Sequence, residues 1–404
     1  IKVLIIAPLP KEVGGSYTTG VCKVAYELSQ CEIAGVKCFI FATNISNKKA
    51  LRISKFPYQY NGYRWLIFDI MKDLVLRPIK TIKELIYYKQ KSHENPLRFE
   101  FYKVNFTKVL ENLKPDIIHV HGVGIAPLFF ANKYKIPIID TMHGVFYNGL
   151  ETERISKDRL DSDVLMSDYF TCLTEECVVK MRDLLKIPEN KISLIPNGIN
   201  THVFYYSDNE RLNIRRKFNV SDDTIVFITV ASIQERKGQF RFVKFLMNCD
   251  FDFQYWIIGE GKDKEKIWNF CNNNQLGERV KFLGNIYSRE LFKYYSAADI
   301  YAHVSTMEGQ SLSEMEAYAT GIRTIVCKDI KDTVVTNVNN SDIYYILDFE
   351  DYDYGKFERW ITTKKQIRKS RSDVNWNIIG EKYGDLYNKI LKISDNEKTI
   401  KETI

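Results

Sequence analysis

The sequence has no uninterrupted apolar run of about 18 residues, the minimum for a helix that crosses a bilayer. It also opens without a charged segment leading into an apolar one, since Ile1 runs directly into strand-like sequence. The expectation is therefore a chain with neither a spanning helix nor an export leader. Eight cysteines occur, at 22, 31, 38, 172, 177, 249, 271 and 327, and no two form a CxxC pair. That spacing fits the reduced, mostly buried thiols of a cytosolic protein better than a disulfide frame or a zinc cluster. Both common phosphate fingerprints, GxGxxG and GxxxxGK[ST], are missing, so NAD and ATP readings start poorly. Nucleic acid is not an expected partner. The net charge of +7 is modest, and the aromatic residues are not interleaved with basic ones.

What the sequence does contain is the composition of a globular protein, with 45% hydrophobic and 27% charged residues. At 404 residues it is too long for one ordinary core, and two domains are expected. Its 25 Tyr and 24 Phe are enough to line cores or sugar-sized clefts. Short apolar runs recur in an α/β rhythm. "IKVLIIAPLP" precedes the glycine pair Gly14 and Gly15 and then a helical pattern through Val21, Val24, Ala25 and Leu28. "KCFIFAT", "PDIIHVHG", "IPIIDTMHG" and "DYFTCL" continue the first cycle, and "NKISLIPNGIN" closes it. A second cycle runs through "DTIVFITVAS", "FQYWIIGEG", "RVKFLGNI", "ADIYAHVS" and "GIRTIVCKD". Such alternation predicts parallel sheets joined by helical crossovers. We read residues 1–205 as an N-terminal Rossmann-like domain, 206–372 as a second one, and 373–404 as a long terminal helix. Residues 63–92 mix long apolar side chains with Lys72, Arg77, Lys80, Lys83 and Lys89. They read as two packed helices broken around Pro78, or as a surface for an acceptor or a membrane.

Chemistry-bearing residues gather where strands end. Gly14 and Gly15 follow the first strand, where glycine lets backbone N–H groups approach a phosphate. His119, His121 and His143 lie at the ends of two strands, and His143 is placed to donate a hydrogen bond at the carboxyl edge of a sheet. A metal site built from the three is the weaker alternative. Arg236 and Lys237 sit near a helix start, a position where cations need an anion to offset them, so they suit a diphosphate. Plain surface charge is the other reading. Gly259 belongs to another strand-end turn, "GEG". In "STMEGQSLSEMEAYATG", Leu312, Met315 and Ala319 mark the apolar face of a helix. Ser313 and Glu316 have capping-box spacing. Glu308 precedes that helix and should face the crevice, whereas Glu314 is expected to face solvent. Carboxylates there suit the hydroxyls of a ribose or a sugar.

Together these motifs resemble the retaining glycosyltransferases of family 4, which have the GT-B arrangement. The most specific piece is E-x7-E, present as Glu308 and Glu316; "TMHG", "IPNGIN", "ERKG" and "GEG" follow the family's order. The resemblance implies two Rossmann-like domains facing across a cleft, with the terminal helix returning to the first. It implies a nucleoside diphosphate sugar as donor, UDP favoured over GDP, and no obligatory cofactor or metal. The other partner would be a glycan or lipid-linked glycan acceptor of surface polysaccharide assembly. By the family pattern Lys237 neutralises the diphosphate, with Arg236 standing in for an arginine replaced here by Ser232. Glu316 holds the ribose, Glu308 lies near the donor sugar, His143 contacts that sugar, and Gly14 and Gly15 approach the phosphate or acceptor. Gln310, Ser311 and Ser313 replace the phenylalanine, glycine and proline usual after the first glutamate. With Leu312, Gln310 and Ser311 are expected at the donor. The expected location is the cytoplasm, with transient contact at the cytoplasmic face of a membrane. A nucleotide-sugar epimerase and a catalytically silent binding module are the competing functions.

Overall fold

The computed structural model describes residues 1–16, 18–44, 63–92, 96–122, 125–144, 164–330, 333–335, 342–363 and 368–403. The chain divides into two compact units, Ile1–Pro196 with Trp376–Ile404, and Asn197–Asn375.

The first unit is built on six strands: β1 (Lys2–Ala7), β2 (Lys37–Ala42), β3 (Ile117–His121), β4 (Ile138–Met142), β5 (Tyr169–Cys172) and β6 (Ile192–Leu194). They pair in parallel in the order β2-β1-β3-β4-β5-β6. The strands are nearly continuous apolar runs because a parallel sheet is covered on both faces. Leu4, Ile6, Phe39, Phe41, Ile118 and Val120 face one core, together with Phe99, Tyr102 and Phe106. Side chains alternate along a strand, so His119 and His121 project to the other face. Helix α1 (Gly20–Gln30) starts at Thr19, whose side chain accepts from the Cys22 N–H. Helices α2 (Tyr63–Leu76) and α3 (Pro78–Ser92) meet at Pro78, as the sequence suggests.

The second unit carries β7 (Ile225–Val230), β8 (Phe253–Ile258), β9 (Val280–Gly284), β10 (Ile300–His303), β11 (Arg323–Cys327) and β12 (Tyr344–Leu347). These too are all parallel, in the order β12-β11-β10-β7-β8-β9. Helices α4 (Gln239–Leu246) and α5 (Leu312–Ala319) follow β7 and β10. Separate apolar cores fill the two faces, one around Trp256, Tyr295 and Met315, the other around Phe227, Phe242 and Phe357.

Helix α6 (Trp376–Thr403) belongs to the first unit. The Cys31 thiol donates to the Trp376 carbonyl, and Tyr387 bonds His119 at 2.8 Å. Gly384 is required by the fit: a Cβ there would stand 2.8 Å from Ile33 Cγ2. All eight cysteines are free thiols, and seven of them are buried.

A second basic stretch, "KKQIRKSR" at 364–371, also reads as suited to transient membrane contact, and it falls partly outside the described residues. Its two described arginines turn inward. Arg368 donates to the carbonyls of Tyr295, Ala298 and Thr320, and Arg371 lies over the Tyr318 ring. That guanidinium satisfies helix-end carbonyls rather than lipid headgroups.

Candidate active site

In an open α/β sheet the strand order reverses at one point, and the loops leaving the two strands there spread apart into a crevice. In the second sheet that point lies between β7 and β10. The loop after β7 forms a single 3-10 turn, Glu235–Lys237, ended by Gly238 at φ 73°. Only glycine fits there, since a Cβ would lie 1.9 Å from the Val304 carbonyl oxygen. The close approach ties the two loops together. The Thr306 N–H donates to the Arg236 carbonyl at 2.8 Å, and Arg241 on α4 donates to the carbonyls of Val304 and Ser305.

Fixed in this way, Lys237 donates from Nζ to Glu308 Oε1. The same oxygen accepts from Ser305 Oγ at 2.9 Å, and Arg236 Nη1 lies 3.8 Å from it. Burial pushes the Glu308 carboxyl up. Lys237, His303 and the hydrogen bonds more than reverse that, so the net shift is downward and the group is a carboxylate. His303, at the end of β10, is pulled down to about 4 by burial and stays neutral at pH 7. Lys237, Glu308, His303, Tyr301, Ser311 and Ser313 line one recess.

Helix α5 begins two residues earlier than the capping-box spacing implied. Ser311, not Ser313, is the N-cap, and it accepts from the Glu314 N–H. The segment contains two Ser/Glu pairs at that spacing, and Ser311–Glu314 is the one the turn uses. Ser313 instead bonds Tyr301 and Ser311. Glu314 is likewise corrected: it is 1% exposed, not solvent-facing, and accepts from the N–H groups of Val334 and Val335. Glu316, 4% exposed, accepts from the Tyr295 hydroxyl at 3.1 Å. Gln310 turns its carbonyl oxygen to the Asn197 N–H at 2.6 Å. Leu312 is partly buried against the core. Gly259 lies at the end of β8, where a Cβ would stand 2.1 Å from the Ala231 carbonyl oxygen.

The first sheet reverses between β1 and β3. The β1 loop folds tightly, with Gly15 N–H donating to the Pro10 carbonyl, and Asn44 brackets Leu9 through both its N–H and its carbonyl. A Cβ on Gly15 would stand 1.8 Å from the Leu9 oxygen. Gly14, at φ 107°, caps the preceding turn. Glycine is thus demanded by the turn itself. On β3, His119 is fully bonded, to Tyr387 at 2.8 Å and Thr141 at 2.6 Å, and burial pulls it down to about 3. His121 Nδ1 meets His143 Nε2 at 3.1 Å, and among the described residues its buried Nε2 has no hydrogen-bond partner. Burial lowers both, His143 to about 4, so the pair shares its hydrogen bond as neutral rings. Among the described residues no group of three His, Cys, Asp or Glu is arranged to hold a metal ion. Sequence reasoning missed His303, Ser305, Arg241 and Tyr295. The signal for His303 was present, a histidine closing an apolar strand.

Two family models match the chain. One, glycosyl transferases group 1, matches residues 210–347, and the other, glycosyltransferase family 4, matches residues 34–203. Together they cover well over half of it. The alpha-monoglucosyldiacylglycerol synthase of Acholeplasma laidlawii is 25% identical over 268 residues, covering 60% of this chain and 66% of that protein. The O-antigen biosynthesis glycosyltransferase WclY of Escherichia coli is 30% identical over 223 residues, 53% of this chain and 62% of the relative. The chain thus matches less than two thirds of the length of either. Among solved structures, Anabaena HepE in complex with UDP aligns over 100% of this chain and 99% of its own, with a TM-score of 0.64 and 14% identity, a likeness of fold. The chain is thus a glycosyltransferase related to the group 1 and family 4 glycosyltransferases, each matched over one stretch, and its two parallel sheets are those of the GT-B fold.

Proposed function

We propose that this chain transfers a hexose or N-acetylhexosamine, with retention at the anomeric carbon, from a nucleoside diphosphate sugar to a glycan or lipid-linked glycan. UDP is the favoured nucleotide, a choice supported by the UDP complex of the fold relative. Lipid-linked or lipid acceptors are supported by the name of the Acholeplasma relative. In this reading the second unit holds the donor. Lys237 and Arg236 neutralise the diphosphate, Glu316 takes the ribose hydroxyls, and Glu308 lies by the donor sugar with Gln310, Ser311, Leu312 and Gly259 around it. His143, Gly14 and Gly15 on the first unit take the roles of the family pattern, toward donor sugar and phosphate or acceptor. A location at the cytoplasmic face of a membrane goes with it.

One observation carries the proposal. Two cations converge on one carboxylate at the point where the sheet reverses, within hydrogen-bond or ion-pair reach of Glu308. Cleaving the anomeric C–O bond leaves growing negative charge on the diphosphate. Cations already fixed by a carboxylate need little reorganisation to meet that charge, so they stabilise the transition state more than the bound donor. The leaving diphosphate is then the acceptor of the proton from the attacking hydroxyl. A thermal-shift panel of UDP, GDP and ADP, followed by product analysis with UDP-sugars and short glycan acceptors, tests the reading. Stabilisation by UDP and an α-linked product from an α-linked donor are expected. No response to any nucleotide, or conversion of the sugar without an acceptor, overturns it.

A further inference from the structure

Helices α2 and α3 present an apolar face that the catalytic reading does not use. The hydrogen bonds Arg77 N–H to Asp73 O and Thr81 N–H to Arg77 O carry the helical pattern across the junction, where Pro78 has no N–H to give. Met71, Val75, Ile79, Ile82 and Ile86 follow at intervals of three and four, one stripe about 22 Å long at 1.5 Å per residue. All five are exposed, Val75 to 80% and Ile79 to 72%. The opposite side anchors the rod: Thr81 is buried and donates to the Asp73 carbonyl, and Leu85 packs on the core of the first unit.

Charge is sorted across the same rod. Lys72, Lys83 and Lys89 are exposed, each three or four residues from a member of the stripe and so beside it. The carboxylates turn the other way, Asp73 to Arg77 and Lys103, and Glu84 to within 4.0 Å of Lys103. An apolar stripe edged by lysines, with its acids withdrawn, has the character of a helix that lies in a lipid headgroup layer. A soluble chain seldom exposes so much contiguous apolar side chain without a partner for it. A second copy of this chain is the poorer occupant, because the stripe would bring lysines against lysines. A glycan is poorer still, since this face offers aliphatic carbon where sugar hydroxyls need polar partners.

We propose that the α2–α3 face docks on an anionic bilayer, with Met71, Val75, Ile79 and Ile82 entering the acyl boundary and Lys72, Lys83 and Lys89 meeting lipid phosphates. No helix among the described residues is long and apolar enough to cross a membrane, so the contact is one of lying on the surface. This proposal stands apart from the donor site, because vesicle binding reads this face alone.

Flotation of the full chain with vesicles of phosphatidylcholine, and of equimolar phosphatidylcholine and phosphatidylglycerol, tests it. The chain should float with the anionic vesicles, and molar salt should release much of it. Val75→Asp with Ile79→Asp should weaken binding about tenfold or more while the melting temperature stays put, both sites being exposed. Lys83→Glu with Lys89→Glu should weaken it about tenfold or more, each charge near the surface mattering by nearly that order. Should the aspartate variant fail to fold, the charge-reversal and salt arms still decide. The idea is overturned if the native chain ignores anionic vesicles, or if both variants bind as it does. It is also overturned if light scattering finds a dimer that the same substitutions dissolve, which would assign the face to a second copy.

Discussion

Lys237 and Glu308 leave adjacent strands, β7 and β10, and meet in an ion pair that neither loop could make alone. The pair is only slightly exposed, at 14% and 11% of the side chains. A buried pair is costly to break from one side, because the remaining charge keeps its desolvation penalty.

Replacing Lys237 with alanine should therefore do two things. Transfer, read as kcat/KM with a UDP-sugar, should fall by about a hundredfold or more, the usual loss when one fixed donor to a developing anion is removed. An unchanged kcat/KM would remove Lys237 from the leaving-group role.

The same substitution should change the pH dependence of stability. In the native chain the Glu308 carboxyl is shifted down, so its contribution is present above the ordinary carboxylate range and is lost as pH falls. Without the ammonium, burial dominates and the shift reverses. The gap in melting temperature between the native chain and Lys237→Ala should then be widest at neutral pH and narrow as pH falls and Glu308 takes up a proton. A gap that does not vary with pH would mean that the pair carries no charge coupling.

Glu316→Gln keeps the shape of the side chain and removes its charge. If it grips ribose hydroxyls, the Kd for UDP in titration calorimetry should rise by about ten- to a hundredfold, the worth of hydrogen bonds to a charged acceptor. A change confined to melting would reduce Glu316 to an anchor for Tyr295.

Glu314 should behave in the opposite way. Glu314→Ala leaves the N–H groups of Val334 and Val335 without their acceptor, a cost of about 1–3 kcal/mol for each buried group so exposed. Thermal unfolding should show the loss, with nucleotide affinity unchanged in the protein that remains folded.

Acid should unfold the chain early. His119 is pulled down to about 3, and His143 and His303 to about 4, by burial, while the unfolded chain titrates near its ordinary value. Between those limits the unfolded state binds more protons, so stability falls as pH drops from about 6.5 toward 4. His303→Gln should flatten that slope in a melting series, and an unaltered slope would rule out this origin for it.

Much of this was legible because the signals were strand-sized. Eleven strands lie in the apolar runs quoted from the sequence, and parallel sheets make such runs conspicuous. β12 was missed, since Tyr344, Tyr345 and Ile346 are only partly covered on the sheet's edge. The start of α5 was misread by two residues because "SLSEME" offers two caps in overlapping register, and only the tertiary path after β10 selects one. Glu314 was misplaced for a related reason. A helical stripe identifies the face toward one core, but the partners of this carboxylate lie in a segment twenty residues on, which periodicity does not see. Lys237 and Glu308 were found separately, each as a charge at a strand end. Their pairing depended on strand order, which no local pattern records.

The return of α6 to the first unit has a bearing on how the polypeptide is made. Tyr383, Tyr387 and Ile390 complete the packing over His119 and α1, yet some 180 residues of the second unit are translated in between. A ribosome that has finished β6 has delivered the six strands of the first sheet with one flank still open. The nascent chain must keep that flank from other greasy surfaces until translation reaches the late helix. The second unit, whose segments are contiguous, carries no such delay.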